Sequence, residues 1–112
     1  MKIRNLTPHA VTLHGVDGKS ITLPPDGPAP RLSVTRTPLQ PVNVDGVGLP
    51  VCRPTLGQTV GLPDPEAGVI LLVSALVAEA NPHRPDLASP GELIRDAAGI
   101  IVGARGLCMY SK

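Results

Sequence analysis

A chain of 112 residues is expected to form one domain, residues 1–112, and its 32 Leu, Ile and Val exceed the share found in disordered chains. With 10 basic and 9 acidic residues the net charge is +1, and no run of five Lys or Arg occurs, so the electrostatic footprint of nucleic-acid binding is missing. Tyr110 is the lone aromatic, which removes a stacking platform for single strands as well, so nucleic acid is not an expected partner.

The first expected element is a hairpin. "HAVTLHG" and "KSITLPP" flank an Asp-Gly turn, a strong hairpin signal between alternating apolar runs. Val11 and Leu13 share one face, and Ile21 and Leu23 share the matching face of the returning strand. "LPPDGPAP" holds four prolines and reads as an extended edge or a crossover. "RLSVTR" alternates Leu32 and Val34 with polar neighbours, as a strand does, and "TPLQP" is expected to break the chain. "VNVDGVGLPV" reads as a second Asp-Gly hairpin or a loop, and "QTVGLP" as another short strand.

From Gly68 the pattern changes. "VILLV" is continuously apolar and suits a central strand buried on both faces. Ser74 follows as the N-cap of a helix over "ALVAEA". Ser89-Pro90-Gly91-Glu92 matches a capping box with proline in the first helical position, so a turn of helix is expected there. "ELIRDAAGIIVGARGL" reads as a final hairpin that turns over Asp96 to Gly99.

Without Phe or Trp the core must be aliphatic, each side chain contributing roughly 1.5–3 kcal/mol. The expected buried set is Val11, Leu13, Ile21, Leu23, Val69, Leu71, Val73, Leu76, Ile100 and Val102. A domain this small gains stability by self-association, so a homo-oligomer is expected. "MKIRNLTPHAVTL" has no apolar run of signal-peptide length, and Val69 to Val73 is too short to cross a bilayer. A cytoplasmic protein without a membrane partner is the expectation. In that compartment Cys52 and Cys108 are expected as reduced, buried thiols.

Metal-ligand spacings such as Cys-x-x-Cys, His-x-His or His-Glu-x-x-His do not occur, so no metal and no cofactor are expected. His9 and His14 are an odd number of residues apart, on opposite faces of any strand they share. Ser74 lacks the Gly-x-Ser-x-Gly surroundings of a nucleophile elbow. "GVGLP" and "GARGL" do not precede helices as phosphate loops do. Two Pro-His pairs stand out, because proline stiffens the approach to His9 and His83 and imidazole can accept, donate or carry charge. Arg95 and Arg105 come from the two arms of the last hairpin and present donors suited to an anion. The candidate ligand site therefore combines His9, Ser74, His83, Arg84, Arg95 and Arg105, with the two imidazoles expected to face one pocket.

"NLTPHAVTL", "LPP", "GLPDPEAGVILLVSALVAEA" and "RPDLASPGELIRDAAGIIVGARGL" resemble a family of small proteins from phages, prophages and actinobacterial mobile elements. That family has an Asn-Leu-Thr-Pro-His opening and a Pro-Gly…Arg-Asp…Gly ending. The resemblance covers most of the chain apart from the middle, and it implies an origin rather than an activity. Where relatives carry Tyr in the apolar strand, this chain has Leu71 or Leu72, which removes an aromatic contact there.

The expected fold is α+β: a mostly antiparallel small β-barrel or curled sheet of about six strands with one short helix. The expected function is a small binding protein for a polar or anionic ligand, sequestering a metabolite or signal. One alternative is a small hydrolase or lyase, with His9 or His83 as general base and an arginine as anion clamp. Another is a protein-protein inhibitor or structural accessory protein that docks through the stiff segment 24–30.

Overall fold

The computed structural model describes residues 1–111 and is built mostly of strands. In chain order these are β1 (Lys2–Asn5), β2 (Val11–His14), β3 (Ser20–Leu23), β4 (Arg31–Val44), β5 (Val47–Val60), β6 (Val69–Leu72), α1 (Ala75–Ala80), β7 (Leu87–Arg95) and β8 (Ile101–Cys108). Six strands form one curled, nearly closed sheet in the order β1-β6-β7-β8-β2-β3, and β4 and β5 form a separate two-stranded ribbon.

The sheet is mixed rather than mostly antiparallel. β1, β6 and β7 run parallel, as do β2 and β8, while β2–β3 and β7–β8 are antiparallel. Two features produce this. The helix α1 serves as the crossover that returns the chain from β6 to a parallel β7. The N-terminal strand, "KIRN", lies parallel beside β6. Its single apolar residue, Ile3, gives no alternation by which to recognise a strand.

Edge strands β1 and β3 approach each other through Asn5. Its Nδ2 donates to the Leu23 carbonyl of β3 and to the His9 carbonyl, both at 2.9 Å. Its Oδ1 accepts from the Thr7 amide at 2.9 Å and the Thr7 hydroxyl at 2.6 Å. Asn5 is buried, and its amide group is satisfied on both sides. The Asn5 carbonyl also accepts from Asp26 N–H at 2.7 Å. The Asn-Leu-Thr-Pro-His opening thus staples the curled sheet.

The core lies where β6, α1 and β7 meet. Leu6, Leu71, Val73, Val77, Ala78 and Leu87 are buried together, with Leu32, Leu62, Val69 and Tyr110 packed against them. Leu71 and Leu72 are both buried, as expected of a strand covered on both faces. Ser74 caps α1, accepting from Val77 N–H at 3.3 Å.

Several expectations are corrected. Ile21, Leu76, Ile100 and Val102 are exposed. Ile21 lies on edge strand β3, Leu76 is exposed on a helix that buries Val77 and Ala78, and Ile100 closes the turn before β8. No helix starts at Ser89: this residue is buried in β7 opposite Cys108, and Pro90 pairs with Leu107. Pairing with β8 overrides the local capping signal. "TPLQP" does not break the chain but lies within β4. A two-stranded ribbon leaves each strand one open edge, where a proline forfeits no ladder bond. Cys52 and Cys108 are free but exposed rather than buried.

Candidate functional site

The sheet register brings four polar side chains into one transverse row. Ser20 on β3 pairs with His14 on β2, His14 with Arg105 on β8, and Arg105 with Glu92 on β7. Cross-strand partners project to the same face. One residue earlier, Leu13 and Ala104 also pair and are both buried, so His14 and Arg105 belong to the outer face.

Glycines shape both functional positions. A Cβ at Gly103 would stand 2.8 Å from His14 Nε2 and 3.0 Å from the Thr12 carbonyl oxygen, so the imidazole rests against bare backbone. A Cβ at Gly91 would collide with the Arg105 carbonyl oxygen, so glycine lets β7 pass close to β8 there. After Arg105 the chain turns away through Gly106 at φ 61°, a left-handed conformation suited to glycine.

Beside this row lies an open cleft of about 400 Å³, lined by His14, Gly15, Val16, Arg105 and Gly106. Its volume falls within the range of small-ligand pockets. Among the described residues Arg105 faces one carboxylate, Glu92, at 3.7 Å, and the two side chains are 68% and 80% exposed. Such a loose, solvated pair contributes at most about 1 kcal/mol, so the guanidinium retains donors for a ligand. A second depression, about 200 Å³ and lined by Val11, Leu93, Ile101 and Val102 among others, carries no ionisable side chain.

The residues expected from sequence to form the site are distributed differently. Of the six, Arg105 is the one that lines the cleft. Arg84 is bound to its own neighbourhood: Nε and Nη2 donate to the two Asp86 carboxylate oxygens at 2.8 Å each, and Nη2 also donates to the Pro63 carbonyl at 2.8 Å. The hydrogen bonds from Arg84 pull the Asp86 carboxyl below the usual carboxylate range, against the opposing effect of burial. In return Asp86 raises Arg84 above the usual guanidinium value, again against burial. The pair is a clamp between the β5–β6 connection and the start of β7.

Arg95 donates through Nη1 to the Gly99 carbonyl at 2.9 Å, closing its own hairpin turn. The Ser74 hydroxyl accepts from the helix it caps. His9 and His83 are both exposed. His9 follows the C-terminal end of β1, whereas His83 precedes the N-terminal end of β7, which runs in the same direction. The topology therefore sets the two Pro-His pairs at opposite ends of the parallel strands.

Ser20, His14 and Glu92 were the members of the row that sequence reasoning missed. The signal for His14 was present in β2, where inward Val11 and Leu13 leave Thr12 and His14 facing outward. Its approach to Arg105 arises from a parallel pairing between segments far apart in the chain, and no local pattern encodes that. Among the described residues, no three His, Cys, Asp or Glu side chains group as a metal site. No helix of the described residues is long and apolar enough to cross a membrane. No family model matches the chain, and neither a curated protein nor a solved structure matches it.

Proposed function

We propose that this chain is a binding protein for a small anionic ligand, held in the cleft beside His14 and Arg105. The observation that carries the reading is the pairing of Arg105 with His14 at the wall of a 400 Å³ cleft, the guanidinium engaged, among the described residues, only by a distant, solvated carboxylate. A guanidinium presents up to five donors in a planar fork matched to carboxylate or phosphate. The imidazole of His14 offers a further donor or acceptor beside it. Ser20, the next member of the row, adds a hydroxyl.

Rigid strands support binding better than loops, because less freedom is lost when the ligand arrives. Sequestration of a metabolite or signal fits a site that combines charge and hydrogen-bonding groups without a buried nucleophile. The bound anion replaces Glu92 as the partner of Arg105, so Glu92 acts as a competitor. Isothermal titration with inorganic phosphate, a dicarboxylate and a nucleoside monophosphate tests this reading. Arg105→Ala should weaken whichever anion binds by ten-fold or more, which is about 1.4 kcal/mol, whereas Glu92→Gln should tighten it. Unchanged affinity in both variants would remove the cleft from consideration.

A further inference from the structure

We infer that the ligand of the His14–Arg105 cleft is a phosphate monoester, and that His14 takes up a proton from solvent as the dianionic head binds. The inference rests on the anion-binding reading above and names the chemistry that reading leaves open. His14 and Arg105 stand side by side on β2 and β8, and neighbouring strands lie about 4.8 Å apart. One head group can therefore meet both side chains. Glu92 approaches the guanidinium from Nε, at 3.7 Å, which leaves the Nη1–Nη2 end of the fork open to a ligand.

Geometry separates the candidate anions. A carboxylate that engages the fork bidentately spends both of its oxygens on Arg105, in one plane. A tetrahedral phosphate gives two oxygens to the fork and keeps a third, out of that plane, for the imidazole on the neighbouring strand. Packing fixes the ring for this role, because it rests on the bare backbone of Gly103, where a Cβ would stand 2.8 Å from Nε2. The rest of the lining, Gly15, Val16 and Gly106, carries no charged side chain. A cleft of about 400 Å³ exceeds what an inorganic anion fills, so the uncharged body of an ester has a place beside its head.

The charges around the ring account for the proton. Arg105 stands beside it on β8 and Glu92 one strand further on β7, while β3 contributes the neutral Ser20. In the turn between β2 and β3, Asp17 and Lys19 face each other at 4.0 Å. Among the described residues, no carboxylate forms an ion pair with the ring. Without a ligand, a proton on His14 sets like charges at paired positions of adjacent strands, which is unfavourable. A phosphate dianion reverses the balance: it brings two negative charges, and Arg105 answers one. Imidazole is the side chain suited to supply the second near neutral pH. A carboxylate, with one charge to match, draws the proton far more weakly.

Phenyl phosphate and benzoate share one organic body and differ in the head, so titration calorimetry of the full chain with each at about pH 7.5 tests the ligand class. Phenyl phosphate should bind at least ten-fold tighter. Inorganic sulfate, whose two charges stay fixed across the histidine range, tests the proton. The His14 imidazole is followed by NMR at constant ionic strength, its signal assigned by its loss in His14→Gln. Saturating sulfate should raise its titration midpoint by about one pH unit. The same coupling makes sulfate bind about ten-fold tighter on the acid side of that titration than on the alkaline side. His14→Gln should abolish this pH dependence while Arg105 still holds the anion. Benzoate binding as tightly as phenyl phosphate, or a His14 midpoint that saturating sulfate leaves in place, would overturn this inference and leave the anion-binding reading standing. Failure of all three anions to bind would overturn both together.

Discussion

Replacing Asn5 with alanine tests whether the N-terminal motif serves the fold. The side chain is 1% exposed. It donates to two carbonyls and accepts from the Thr7 amide and hydroxyl. Truncation leaves the Leu23 carbonyl and the Thr7 amide without their partners, while the His9 carbonyl keeps the Thr7 hydroxyl within 2.9 Å. A buried polar group stripped of its partner costs about 1–3 kcal/mol, and partial entry of water lowers that sum. The expected loss is therefore about 2–4 kcal/mol. At roughly 4–8 °C per kcal/mol for a domain near this size, Tm should fall by about 10–25 °C. Urea unfolding and calorimetry measure both quantities. Asn5→Asp discriminates further, because it keeps the acceptor but turns a carboxylate toward two carbonyl oxygens, and it should destabilise more than alanine at pH 7. A loss below about 0.5 kcal/mol in Asn5→Ala would refute the staple.

The Arg84–Asp86 clamp sets an acid limit on stability. Because folding lowers the Asp86 pKa, its contribution is complete above the unfolded value of about 3.9. It is lost as pH falls through the lowered folded value. Asp86→Ala should cost about 3 kcal/mol at pH 7, as breaking a largely buried pair does, and should flatten this part of the acid transition in urea melts taken from pH 6 to 2. Gly103→Ala places a methyl against the His14 ring and the Thr12 carbonyl. It should weaken anion binding about ten-fold (about 1.4 kcal/mol) by titration calorimetry, with the circular dichroism of the sheet unchanged.

Much of the strand order was legible where the signal is local. The Asp17-Gly18 turn between alternating runs marked β2 and β3, and the observed pairing of Val11 with Leu23 and Leu13 with Ile21 follows from it. The continuous apolar run marked β6, and Ser74 marked the start of α1. Prolines misled at Pro38 and Pro41, because their cost depends on whether a strand has neighbours on both sides, which only the topology decides. The short charged β1 carried no period of its own and owes its place to β6. In the site, sequence favoured the Pro-His pairs for their stiffness. That stiffness is accounted for at His9 by a loop whose carbonyl serves the Asn5 staple. Arg105 was recognisable as an available cation, but its neighbours on the sheet required the parallel β2–β8 register.

The most direct test of the proposed binding role is an experimental structure of protein isolated gently, without dialysis or refolding. Density for an anionic small molecule in the cleft, within hydrogen-bonding distance of the Arg105 guanidinium and the His14 ring and absent from Arg105→Ala, is the expected result. An empty cleft in protein that carries such a ligand elsewhere, beside Val11 and Leu93 or near His9, would contradict it.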